Sequence, residues 1–146
     1  MKAQIMRFKL DDGAYEPERA HSTDSGMDLR SPIDIIIRAK SSAVIDTGVH
    51  PEIVKYAEGV GSSGILLPKS GLNMKNDILS FGVIDEGYSG SIVVKLYNLG
   101  DHDYHVHRGD KITQLIIADV RYVIPQIVYD IDSGDRGDNG FGSTGR

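Results

Sequence analysis

Asp85 and Tyr88 stand three residues apart in Phe81-Gly82-Val83-Ile84-Asp85-Glu86-Gly87-Tyr88-Ser89-Gly90, where two β-type runs meet at a turn. A carboxylate and a phenol held close at one tip are the best-placed pair in the chain for chemistry. The same residues also suit a plain surface turn, with Asp85 bonding nearby backbone N–H groups and Tyr88 covering a core edge. Asp28 lies between the apolar Met27 and Leu29, so it points away from their side of a short strand. An inward carboxylate there must be hydrogen-bonded or serve a ligand or metal; an outward one is an ordinary strand aspartate. Lys69-Ser70-Gly71-Leu72 reads as a helix start with Ser70 as N-cap and Leu72 to Asn76 as the helix. Its unpaired N–H groups and Lys69 suit an anion. The tail 135–146 has glycines, hydroxyls, arginines and the single aromatic Phe141 between glycines. Those are the parts of a nucleotide clasp, and also of a disordered end. His105 and His107 share a strand face, but no third metal ligand follows at recognisable spacing.

Short strands must carry these groups. Gln4 to Lys9, Ile33 to Arg38, Ala43 to Thr47, Ile53 to Ala57, Ile65 to Leu67 and Lys111 to Ile117 are strand-like, with turns every eight to twelve residues. Glu58 to Gly64 reads as a flexible glycine- and serine-rich tip. Ile78 to Ile84 and Ser91 to Leu99 read as the two arms of a hairpin, with Gly87 and Gly90 supplying its conformational freedom. In the second arm Ile92, Val94 and Leu96 share one face. Gln114 falls on the mostly apolar face of its strand and wants a partner. Asp119 to Ile131 reads as the last strands, interrupted by Pro125. The pattern is that of an all-β barrel or sandwich.

The chain has 146 residues, no cysteine and a net charge of -5. That suffices for one domain with its own core and excludes disulfides and thiolate sites. The cations are scattered, which argues against duplex nucleic acid as a partner. No apolar run approaches the roughly 20 residues that span a bilayer, so a soluble, cytoplasmic protein is expected, with no membrane partner.

Five stretches in this order resemble the five motifs of the trimeric dUTPases: 25–29, 68–72, 82–90, 109–116 and 136–145. The resemblance covers nearly the whole chain, and the third and fifth motifs are the most specific. It implies a jelly-roll-like β-barrel over 1–132 and a flexible glycine-rich C-terminal arm over 133–146 that closes over a neighbouring subunit's site in a homotrimer. It also implies hydrolysis of dUTP to dUMP and pyrophosphate with Mg²⁺, which keeps uracil out of DNA and supplies dUMP for dTMP synthesis. Asp85 would be the catalytic base and Tyr88 would pack under the deoxyribose. Gly82, Val83 and Ile84 would pair with uracil through their backbone. Lys69, Ser70, Gly71 and Gln114 match substrate-binding positions, and Arg136, Gly142, Ser143 and Thr144 would close on the phosphates while Phe141 stacks on the base. Asp28 would help place the metal through water.

Lys69 stands where the family usually has arginine, which replaces a planar fork by a point charge. Met27, Leu79, Ser89, Ser91 and Asn139 also depart from common family choices. The nearest rival is a dCTP deaminase, which lacks the Phe141 motif and would need Glu86 beside the base. A catalytically idle trimer that binds a partner or senses dUTP is the rival from another class.

Overall fold

Alternation along Val93–Asn98 sends Val94, Leu96 and Asn98 inward and Val93, Lys95 and Tyr97 outward. The computed structural model, which describes residues 5–55, 58–132, 134 and 137, has this pattern at its centre. In chain order its elements are β1 (Arg7–Leu10), β2 (Met27–Arg30), β3 (Ile35–Ile37), β4 (Ser41–Asp46), β5 (Val49–Glu52), β6 (Gly61–Leu67), α1 (Ser70–Asn76), β7 (Ile78–Ser80), β8 (Gly82–Ile84), β9 (Val93–Asn98), β10 (Tyr104–Val106) and β11 (Lys111–Val120). The strands pair as β1-β5, β10-β3, β2-β11-β6-β8 and β4-β9-β7, with every ladder antiparallel.

The all-β expectation holds. The described strands form four sheets around one core rather than a single closed barrel. Leu29, Ile37, Ile45, Leu66, Leu96 and Leu115, drawn from three of the sheets, are almost fully buried in that core. Each such side chain contributes roughly 1.5–3 kcal/mol by leaving water. Among the described residues no helix is long and apolar enough to cross a membrane.

Several elements differ from the sequence reading. Gly61 to Gly64, expected in a flexible tip, are buried in β6. A side chain at Gly64 would come within 2.9 Å of both Ile53 and Leu115, so glycine there permits close packing and does not mark a flexible tip. The strand expected from Ile53 onward lies instead at β5 and includes Pro51, opposite Phe8 at the edge of a two-stranded sheet. Ala57 lies outside the described residues. Ser70 does not cap α1: it is the helix's first residue, the N-cap is Lys69, and no side chain caps it. Residues 121–132, expected to complete the strands, form no strand here. Ile124, Ile127 and Tyr129 in that segment are almost wholly exposed.

The largest difference is at the central hairpin. β7 pairs with β9, as a hairpin requires, but at Phe81 the chain leaves that sheet and β8 pairs with β6. The two arms therefore diverge towards their tip.

Candidate active site

Divergence of β8 from β9 opens a crevice of about 310 Å³ lined by Gly82, Val83, Asp85, Tyr88, Ile92 and Val93, among others. β8 is the edge of its sheet. The Ile84 carbonyl accepts a 3.1 Å hydrogen bond from Ser63 Oγ and so faces β6. Alternation of the strand backbone then turns the N–H and C=O of Val83 to the unpaired side. Val83 thus presents a backbone donor and acceptor beside an exposed carboxylate, while Gly82 and Ile84 on either side face β6.

The turn is built residue by residue. Tyr88 N–H donates to the Asp85 carbonyl at 3.1 Å, and Gly87, at the third position, has φ of 84°. That angle suits glycine. Gly90 has another reason to be glycine: a side chain there would overlap the Tyr88 hydroxyl, which donates to the Ser91 carbonyl at 2.9 Å. Only Gly87 of the two has a positive φ, so the freedom expected of Gly90 is a matter of space. Adjacent carboxylates have different surroundings. Asp85 is exposed at the crevice, whereas Glu86 Oε2 accepts from Ser62 N–H at 3.2 Å and from the Tyr122 hydroxyl at 2.9 Å. The bond to Glu86 favours the protonated phenol and raises the pKa of Tyr122. The Tyr122 ring lies over Gly61, where a side chain would come within 2.5 Å of it.

A second group of motif residues gathers at the other end of the same sheet. Asp28 is 4 % exposed, and its two carboxylate oxygens face Lys69 Nζ and Lys111 Nζ, the latter at 2.8 Å. Burial alone would raise its pKa, but the hydrogen bonds and charges of Lys111 and Lys69 outweigh that and hold it below the usual range. The exposed-aspartate alternative is thereby removed. Gln114 lies across the ladder from Asp28, and its Nε2 donates to the Pro68 carbonyl at 3.1 Å, the partner it required. Gly26 makes room for that amide, because a side chain there would lie 2.5 Å from Gln114 Oε1. Ser70 and Gly71 are exposed just beyond Lys69, and the space over Gly71 is open among the described residues. Nothing in the residue pattern alone singles out Lys111 as a partner of Asp28. Its place beside the Gly109-Asp110 turn, on the strand that carries Gln114, was the available signal.

Asp28→Asn should destabilise the fold by roughly 3 kcal/mol at pH 7, the low end for removing one member of a buried ion pair, since both lysines can turn to water. A carboxylate whose pKa is lower folded than unfolded contributes stability that is present above the unfolded pKa and lost as pH falls through the folded one. Urea midpoints of the two proteins should therefore differ at pH 7 and converge below the ordinary carboxylate range. A gap of the same size at pH 2 would remove the ion pair as its cause.

The two groups do not meet within one chain. Ile84 pairs with Gly64 midway along β6 and Asp85 continues away from the β6 end that Lys69 follows. At strand spacing this separates Asp85 from Lys69 by on the order of 15–20 Å. Among the described residues no cluster of three or more His, Cys, Asp and Glu could hold a metal. Arg136, Phe141, Gly142, Ser143 and Thr144 lie outside the described residues.

The family model for dUTPase matches residues 13–145. A deoxyuridine 5'-triphosphate nucleotidohydrolase of Clostridium acetobutylicum is 41% identical over 140 residues, 94% of this chain and 93% of that one. The Staphylococcus bacteriophage 80alpha dUTPase, solved with dUPNHPP, superposes with a TM-score of 0.87 at 28% identity, over 99% of this chain and 100% of that one. A point mutant of the dUTPase from phage phi11 of S. aureus, whose structure reveals how a structural Mg(II) ion is coordinated, superposes with a TM-score of 0.78 at 25% identity, over 89% of this chain and 100% of that one.

Proposed function

The chain belongs to the dUTPase family, and from that premise we propose that it hydrolyses dUTP to dUMP and pyrophosphate with Asp85 as the catalytic base. The observation that carries the reading is the unpaired backbone edge of β8 opening into the crevice that holds Asp85 and Tyr88. Val83 would offer uracil its backbone N–H and C=O, and Gly82 and Ile84, whose backbone groups face β6, would hold that edge in place. The Tyr88 ring, tied to the Ser91 carbonyl, backs the sugar and leaves no room for a 2′-hydroxyl. Asp85, exposed beside it, accepts the proton of the attacking water. Glu86, occupied by Ser62 and Tyr122, is not placed to act on the base as a deaminase would require.

The triphosphate would lie against Lys69, Ser70, Gly71 and Gln114. Because that group and Asp85 are well separated in one chain, each site would combine the crevice of one copy with the lysine cluster of another. The exposed apolar side chains of Ile124, Ile127 and Tyr129 support an assembly that covers them, and a homotrimer is typical of the family. Residues 133–146 would be the arm, bringing Phe141 onto the base and Arg136, Gly142, Ser143 and Thr144 onto the phosphates.

The described residues form no protein cage for Mg²⁺, which suits an ion that keeps several waters and binds through substrate phosphates. Asp28, with each oxygen facing a lysine, would contact it only through water. When bound, the ion would neutralise charge on the phosphates.

Product analysis with dUTP, dCTP, dTTP and UTP, with and without Mg²⁺, tests the proposal. Pyrophosphate and dUMP from dUTP alone, dependent on Mg²⁺, is the expected result. Release of dUTP or dUMP from dCTP, or no turnover by an assembly that binds dUTP, would replace it with the deaminase or the idle binding protein.

A further inference from the structure

The tip of the catalytic turn is held from behind by the β4–β5 region. Ser91 Oγ donates to Asp46, whose pKa is lowered chiefly by that bond. The Ile92 N–H donates to the Val49 carbonyl at 2.8 Å. Between these ties stands His50. Its Nδ1 lies 2.9 Å from the Ser89 carbonyl oxygen and its Nε2 lies 3.0 Å from Asp11 Oδ2. A carbonyl oxygen and a carboxylate both accept and have no proton to give. A neutral imidazole carries one N–H and would set a lone pair against one of them; an imidazolium satisfies both.

We propose that His50 is a positioning residue for the reaction, an imidazolium brace that fixes the Ser89 carbonyl and with it the turn carrying Asp85 and Tyr88. This rests on the roles given above to Asp85 and Tyr88. The surroundings favour the charged ring. Asp11, on the loop after β1, and Asp46, at the end of β4, are both negative, while Lys9, opposite His50 in the β1–β5 ladder, opposes them. The hydrogen bond to Asp11, then that to Ser89, raises the pKa above its ordinary 6.5. The His50 side chain is 20% exposed, so protons reach it from solvent.

Loss of the proton acts at a defined atom. The neutral ring keeps its charge-assisted bond from Nε2 to Asp11, and the bare Nδ1 then faces the Ser89 oxygen lone pair to lone pair. The brace opens at Ser89, next in the chain to Tyr88. Activity is therefore higher below the folded pKa of His50 and falls as pH rises through it.

The test compares the full-length wild type with His50→Gln and Asp11→Asn, measuring kcat for Mg·dUTP from pH 5.5 to 9. In parallel, NMR follows the His50 ring nitrogens and the amides of Ser89 and Gly90. Wild type should lose about tenfold in kcat across the transition, the scale on which small misplacement of reacting groups acts. His50→Gln should lack the transition and run at the wild-type alkaline level throughout. Asp11→Asn should keep the transition but move it to lower pH, which a merely structural role would not do. In wild type both ring nitrogens should be protonated at pH 6, and the Ser89 and Gly90 amides should titrate with the ring. An unchanged profile in His50→Gln, or a ring singly protonated at pH 6, overturns the brace. If wild type turns over no dUTP, the functional reading fails, and the NMR titration still decides the brace. The same titration decides it if His50→Gln does not fold.

Discussion

Asp85→Asn should lower turnover of dUTP by about 10²–10⁴-fold, the usual worth of a general base, while Mg·dUTP still binds nearly as well. The side chain keeps its size and its place on an exposed turn and loses only the ability to take a proton. Because the Asp85 carbonyl, not its carboxylate, accepts the Tyr88 N–H, the fold of the turn is indifferent to the change. Single-turnover kinetics with calorimetric binding would separate the two effects. A variant that turns over near the wild-type rate would remove Asp85 from the base role.

Removing Gly137 to Arg146 should leave a folded assembly with activity reduced by about 10²-fold. The deletion takes away Phe141, for which we propose stacking on the base, an interaction worth roughly 1–3 kcal/mol, and the hydroxyls of Ser143 and Thr144. It also admits bulk water to the reacting phosphate. Among the described residues the core and the side chains packed against it end at Ile117, which is why folding should survive. Size-exclusion chromatography and kcat/KM on the truncated chain check both halves of this expectation, and full activity after truncation would refute the clasp.

What the residues disclose in advance is local and periodic. The alternation from Ile92 to Leu96 gives the interior face of β9 correctly, because one buried face imposes a period of two. The Asp85 to Tyr88 turn and the need of Gln114 for a partner were legible for similar reasons. What escaped was decided by distant packing. Gly61 to Gly64 look like part of a flexible tip in isolation, and only the approach of Ile53, Leu115 and Tyr122 makes them a buried strand. Nothing local to Phe81 announces that its strand changes sheets there, since the choice of β6 as the partner of β8 is a long-range one. Asp28 between two apolar residues shows which way it points, but its two lysines arrive from after β6 and from β11. His50 carries no motif, and its partners come from Asp11 and from a backbone carbonyl that no sequence pattern displays.

The bond between Tyr122 and Glu86 has a consequence for the last part of the chain. It ties Tyr122, just after β11, to the very turn that carries Asp85, so the arm proposed for 133–146 would be tethered from there. From Tyr122 to Phe141 the chain can extend roughly 60 Å, against a radius of gyration of about 15 Å for a domain of this length. An arm on such a tether can reach a site on another copy. In the proposed assembly its arrival would be an intramolecular event at an effective concentration on the order of millimolar. Closure over bound nucleotide would then not depend on how dilute the protein is, and the affinity of the arm for the site can be weak enough to let product leave.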